Sequence, residues 1–353
     1  MEKNYYHENK QKYFAKLNII LKRLPSFCKI YFVGIESRTE ILTRLNYAQD
    51  LLIFFDFICN ELPSFNHKDP TALDFNHINK LTAIDIESFL SYLTCYYYEG
   101  KKHINNEKAK ARKLSSIRSL FKYLYNKDFI SGNVASKVAT PKIHDKEIIR
   151  LDSEEINSMV ENLDCDNVFP SDRQNSYNIR TKKRDNALIT MMLATGIRVS
   201  ECVGLNEDDI DLDTNSFLVT RKGGNRTILY FSNEVKQALE SYMIVRDEML
   251  KKRNLVKKNL PLFLSLQNNR LSVRAVQNIV KKYASISAPL KNISPHKLRS
   301  TYGTALYRST KDIYVVAEVL GHKDINTTKK HYAAIGEDIK KEASNKVQLK
   351  KDK

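Results

Sequence analysis

Apolar residues in the first part of the chain recur at three- and four-residue intervals, which is the period of a helix with one buried face. Ser37 and Glu40 have capping-box spacing and precede Ile41, Leu45, Ala48, Leu51, Leu52, Phe55 and Ile58, predicting a helix that starts near Ile41. A second helix is expected from about Thr82 through Ile86, Phe89, Leu90 and Leu93. A third carries Leu114, Ile117, Phe121 and Leu124 on one side, with Lys108, Arg112, Ser115, Arg118 and Lys122 on the broadly opposite side. The residues before Ser37 are basic and read as helical, without a legible role. At Ala139-Thr140-Pro141-Lys142 the periodicity stops, and a polar stretch runs to Arg150.

Beyond that break, Asp152-Ser153-Glu154-Glu155 opens a new helix, 167–183 reads as a polar loop insertion, and 185–194 reads as helical again. The clear β signal comes next. Two β-rich runs, 216–220 and 227–231, flank Lys222-Gly223-Gly224-Asn225, the composition of a tight hairpin turn. From Asn233 onward the pattern is helical, broken near Leu260-Pro261 and Ala288-Pro289. The expected fold class is therefore mostly α with a small β-sheet, divided near residues 139–150.

Composition sharpens this picture. The 353 residues hold 58 Lys and Arg against 41 Asp and Glu, a formal charge of +17, with 42% hydrophobic and 28% charged residues. That is globular composition with length for two cores, and its charge excess suits a polyanion such as nucleic acid. With that excess, the basic stripe from Lys108 to Lys122 reads better as a phosphate contact than as a merely solvated face. No apolar run reaches the roughly 18–20 residues of a membrane span, and the N-terminus lacks a signal-peptide layout. A cytosolic protein without a membrane partner is expected. Five cysteines (Cys28, Cys59, Cys95, Cys165, Cys202) are scattered without a C-x-x-C pair, so reduced thiols are expected rather than a disulfide framework or zinc site. No metal-ligand motif is found, and no cofactor is expected.

Five short segments of the second half carry candidate chemistry: Ala194-Thr195-Gly196-Ile197-Arg198-Val199-Ser200-Glu201, Arg221-Lys222-Gly223-Gly224, Pro295-His296-Lys297-Leu298-Arg299, Leu320-Gly321-His322, and Thr327-Thr328-Lys329-Lys330-His331-Tyr332. In this order they resemble the tyrosine recombinase (phage-integrase) family, most closely the single-protein Xer recombinases. The resemblance covers about 150–340, and more weakly 40–138. It implies a basic helical extension (1–36), a helical core-binding, SAM-like DNA-binding domain (37–138), a linker (139–150), a mixed α/β catalytic domain (151–345) and a basic tail (346–353). The two domains are expected to form a C-shaped clamp on double-stranded DNA bearing a roughly palindromic site. Four protomers would act on two such sites, exchanging C-terminal helices, with an accessory protein to set direction.

The residue types fit the implied chemistry. Opening a phosphodiester without a metal requires other positive charge on the non-bridging oxygens, and guanidinium groups stay protonated and fork onto phosphate. Arg198 and Arg299 are the candidates. Glu201 would either brace Arg198 or serve as a helix N-terminal carboxylate. His296, three residues before Arg299, can share its helical face and accept the proton of the nucleophile Tyr332. His322 would donate to a non-bridging oxygen. Lys222 on the hairpin turn would protonate the leaving 5′ oxygen. The intermediate would be a 3′-phosphotyrosyl enzyme. His103 and His331 receive no role.

Two features depart from the common family pattern. One extra residue separates His322 from Tyr332, leaving His331 at the usual tyrosine position, and a shift of one residue turns a helical side chain by about 100°. Ser300 stands where a second histidine often follows H-x-L-R. Chromosome dimer resolution is the preferred role, ahead of a phage or conjugative-element integrase or a DNA inversion recombinase. A type IB topoisomerase shares the chemistry but not the compact H-x-L-R and L-G-H motifs. A catalytically inactive DNA-binding factor would not be expected to keep all six positions.

Overall fold

The computed structural model describes residues 5–65, 69–143, 148–221, 224–252, 260–321 and 325. The chain divides into two compact units, Met1–Lys146 and Glu147–Lys353.

The first unit is built from α1 (Tyr5–Leu21), α2 (Ser26–Gly34), α3 (Ile41–Glu61), α4 (Phe75–Lys80), α5 (Ala83–Tyr92), a hairpin of β1 (Tyr96–Tyr98) and β2 (Lys101–His103), and α6 (Glu107–Tyr125). Its core is rich in aromatic rings: Phe27, Tyr31, Phe54, Phe55, Phe89 and Phe121 are fully buried. Thr82 caps α5, its hydroxyl accepting from the Asp85 amide at 3.3 Å while Asp85 accepts from the Thr82 amide at 2.8 Å. The Ser37–Glu40 capping box does not form. Ser37 lies in a 3₁₀ turn (Glu36–Arg38), and α3 begins after Glu40 without a side-chain cap; Glu36 instead pairs with Arg44 at 2.8 Å.

The described part of the expected extension, residues 5–36, shares the core of the first unit. Leu17, Leu24, Phe27, Cys28, Tyr31 and Phe32 are buried in the same core as α3 and α6. The basic residues between them masked this apolar face. The hairpin β1–β2 was not expected either; Tyr96 stacks on His103 across it at 5.2 Å.

The second unit contains α7 (Ser153–Asp164), α8 (Asp172–Thr195), α9 (Val199–Gly204), a three-stranded antiparallel sheet of β3 (Ile210–Asp211), β4 (Ser216–Thr220) and β5 (Arg226–Tyr230), then α10 (Asn233–Lys251), α11 (Val273–Ser287), α12 (Pro295–Thr310) and α13 (Ile313–Leu320). Helix α8 is central, packing on α7, α10 and α12. The expected hairpin pairs Val219 with Thr227 and Thr220 with Arg226, and turns the buried Phe217 and Val219 toward the core.

The polar stretch expected as a loop insertion over 167–183 is mostly the first half of α8. Most of its polar side chains stay exposed on the helix, but Asn175 and Asn178 are drawn into bonds within the unit. Asn175 bonds both backbone groups of Phe169 at 2.9 Å, and the Tyr283 hydroxyl donates to Asn178 at 2.6 Å. Lys282 donates to Asn178 at 3.0 Å and stands 4.5 Å from the centre of the Phe169 ring. A satisfied polar network of this kind is compatible with burial and so imitates a loop in composition. Cys28, Cys59 and Cys202 are buried and Cys95 and Cys165 exposed, all as free thiols.

Candidate active site

Helix α8 ends at Gly196, whose backbone is left-handed at φ +61°. A Cβ there would lie 2.4 Å from the Tyr302 ring, so both the turn and the close approach call for glycine. The turn delivers Arg198 to the N-cap of α9. Glu201 answers in both of the ways that the spacing allowed: its carboxylate accepts from the Arg198 backbone amide at 3.1 Å and from Nη1 at 2.8 Å. Glu201 is buried while a third of the Arg198 side chain is exposed.

Helix α12 starts at Pro295, with His296 exposed and Arg299 buried in its first turns. The Arg299 Nη1 donates to the Gly196 carbonyl at 2.5 Å and its Nη2 to the Leu320 carbonyl. Ser300, at the departure from the family pattern, turns its hydroxyl back onto the His296 carbonyl at 3.1 Å. On the far side of α12 the Thr301 hydroxyl accepts from the buried Leu151 amide at 3.0 Å, anchoring the start of the unit beneath the site.

These arginines meet at the end of α13. Gly321 ends that helix at φ +60°, and the last carbonyls of a helix lack intrahelical donors. Arg221 donates to Val319 O at 2.9 Å, Arg299 to Leu320 O, and Arg198 to Gly321 O at 3.0 Å. The negative end of the helix dipole lies at the same place. Three guanidinium groups from three different elements are thus indexed on successive carbonyls of a single turn. A carbonyl orients a guanidinium but leaves its unit charge intact, so the cluster keeps positive potential for an anion.

Of the six candidate catalytic residues, the structure brings Arg198, His296 and Arg299 into the second unit around α12 and the α13 turn. Lys222, His322 and Tyr332 lie outside the described residues, as do His331 and the segments expected as a C-terminal helix and a basic tail. Lys222 follows Arg221 directly in the chain, and His322 follows Gly321.

The expected basic stripe on α6 divides. Lys108 and Lys122 are exposed. Arg112 pairs with the buried Asp50, which also accepts from Lys113 at 3.2 Å and Ser116 at 2.8 Å. Arg118 is committed to its own unit: it donates to Ala135 O at 3.3 Å, Thr140 Oγ1 at 2.8 Å and Val138 O. Thr140, placed in the linker by sequence, is therefore tied to α6. Arg221 is the residue that sequence reading missed, because an arginine in a glycine-rich turn reads as solvent-exposed.

Residues 150–337, more than half of the chain, match the profile of the phage integrase family. The chain belongs to this family. Among its relatives, Tyrosine recombinase XerC of Caldanaerobacter subterraneus subsp. tengcongensis is 31% identical over 332 residues, covering 91% of this chain and 86% of the relative. Tyrosine recombinase XerC of Thermodesulfovibrio yellowstonii is 35% identical over 218 residues, 62% of this chain and 68% of the relative. Among solved structures, XerH site-specific recombinase bound to difH substrate in a pre-cleavage complex superposes with a TM-score of 0.60 at 22% identity, over 83% of this chain and 76% of that one. A lambda integrase dimer bound to a COC′ core site gives 0.57 at 17% identity, over 87% and 94%. These superpositions show the fold. As a phage integrase family member of Xer type, the chain is a tyrosine-type site-specific DNA recombinase.

Proposed function

We propose that the chain cuts and rejoins duplex DNA at a roughly palindromic site through a 3′-phosphotyrosyl intermediate, and that it resolves chromosome dimers. The observation that carries this reading is the convergence of Arg198 and Arg299 on adjacent carbonyls of the α13 turn. Two fixed guanidinium groups can neutralise the charge that builds on the non-bridging oxygens during displacement at phosphorus.

In the proposed reaction Tyr332 is the nucleophile, and its proton passes to His296. A bond forms from the phenolate oxygen to phosphorus as the bond from phosphorus to the 5′ oxygen breaks. That oxygen takes a proton from Lys222, while His322 donates a hydrogen bond to the phosphoryl group. The phosphotyrosyl ester retains the bond energy, so rejoining to the same or another 5′-hydroxyl needs no ATP. The dimer-resolution role is supported by whole-length relatives that carry the XerC name. It implies action in the cytoplasm, a tetramer on two sites exchanging C-terminal helices, and an accessory protein that sets direction. In the first unit Lys108 and Lys122 are the residues proposed to meet DNA phosphate.

A duplex nicked beside the cleavage point tests the reaction, because loss of the short fragment traps the enzyme on DNA. A covalent adduct and a free 5′-hydroxyl are expected in EDTA as in buffer. Adduct formation lost in EDTA and restored by magnesium would overturn the assignment to arginines. A palindromic target near the replication terminus supports dimer resolution, whereas flanking excisionase-like genes would indicate a mobile element.

A further inference from the structure

The hairpin turn between β4 and β5 is joined to the end of α13 by a contact that the reaction above does not use. Arg221 closes the hairpin ladder, its amide donating to Asn225 O at 2.8 Å and its carbonyl accepting from Gly224 N at 3.0 Å. Its side chain leaves the sheet and reaches Val319 O at 2.9 Å. The guanidinium crowds Gly321 with its Nη1 end: a Cβ on that residue would sit 1.3 Å from Nη1 and 2.4 Å from Cζ. The positive φ favours glycine at 321, and a side chain there would push the arginine from its place. The Arg221 Nε is buried without a hydrogen-bond partner, a cost that a surface arginine would avoid by turning to water.

We propose that Arg221 is a positioning residue: it registers the hairpin that carries Lys222 against the turn that leads into His322. The inference rests on the reading of Lys222 as the acid that protonates the 5′ oxygen. Chain connectivity makes the coupling direct, since Arg221 precedes Lys222 and its hydrogen bond and packing contact fall on Val319 and Gly321, just before His322. A hairpin tip held by its own backbone alone could swing with the strand pair. Fixing residue 221 to α13 restrains the chain one position before the proposed acid, and orientation of an acid within hydrogen-bond reach is what general acid catalysis requires. Burial of the guanidinium lowers its pKa from the usual arginine value, with Arg198 adding to the effect and Glu201 opposing it; it remains a cation throughout the working range.

The test compares two leaving groups. The full-length chain is given a nicked duplex carrying the site recovered by selecting bound sequences from a random DNA pool. One version has the ordinary 5′ oxygen at the cleaved bond, and the other has 5′ sulfur, a leaving group that departs without a proton. Arg221→Met is expected to form the covalent adduct about 10²-fold more slowly than wild type on the oxygen duplex, and within about threefold of wild type on the sulfur duplex. Arg221→Lys, which keeps one donor for Val319 O, is expected to lose about tenfold on oxygen. Both substrates are cut by the same preparation, so the ratio does not depend on the folded fraction. Lys222→Ala is run beside them and is also expected to recover on sulfur. If Lys222→Ala recovers but Arg221→Met is equally slow on both duplexes, or unaffected on both, the positioning role is wrong. If Lys222→Ala fails to recover, the assignment of Lys222 as the acid is wrong.

Discussion

Each unit gathers basic side chains around shared acceptors, and the two clusters differ in what holds them. In the first unit, Asp50 lies among Arg112, Lys113 and Ser116, so a full negative charge answers the cations. Arg118 on the same helix is absorbed by Ala135, Val138 and Thr140. In the second unit, Arg221, Arg299 and Arg198 are held by three consecutive backbone carbonyls, with Glu201 on the outermost of them. A carboxylate cancels charge and fixes a fold. A carbonyl fixes direction and leaves the charge available. Carbonyl partners alone do not set the role, since Arg118 is held by them too; what sets the second cluster apart is that three guanidinium groups share one helix end with a single carboxylate, Glu201, among them.

This contrast can be broken at either end. The largest effect is expected in the second unit: Arg198→Ala or Arg299→Ala should slow covalent adduct formation by about 10³-fold or more. Duplex affinity, measured in parallel by a binding titration, should change by less than about tenfold. A loss confined to binding would mean that the carbonyl-held arginines act as ordinary DNA contacts. Next is Asp50→Asn, which leaves the buried Lys113 without its counter-charge and should destabilise the first unit by about 3–5 kcal/mol in denaturant unfolding. A smaller effect is expected for Arg118→Ala, about 1.5–3 kcal/mol from lost charge-assisted bonds, with the salt dependence of DNA binding unchanged. Lys122→Ala should show the converse, unaltered stability and a salt slope shallower by about one. Equal salt slopes for the two variants would erase the distinction between a cation bonded into its own unit and an exposed one on α6.

Elements with local signals were legible in the chain. The Thr82 start of α5, the Asp152–Glu155 box that opens α7, and the hairpin around Lys222-Gly223-Gly224 each depend on residues within a few positions of one another. The placement of Arg198, His296 and Arg299 in the second unit followed from equally local motifs, whose types and spacing carry the proposed chemistry. Features set by long-range partners were not legible. The first half of α8 reads as loop because its asparagines bond to Phe169 and Tyr283 rather than to solvent. Arg118 reads as a DNA contact because nothing nearby in sequence announces that Val138 and Thr140 return to it. Residues 1–36 read as a basic extension because the buried Leu17, Phe27 and Tyr31 are diluted among lysines. Arg221 follows the same rule: its partners are about a hundred residues away, on α13.

The most direct test of the account is covalent trapping on the nicked duplex with Tyr332→Phe and His331→Ala side by side. In the proposed reaction the guanidinium pair makes phosphorus susceptible, and the attacking group is the phenol one residue beyond the family's usual spacing. Tyr332→Phe should bind the duplex with wild-type affinity and yield no adduct, while His331→Ala should still be trapped. An adduct from the Phe variant together with none from His331→Ala would contradict the proposed nucleophile and the chemistry built around it.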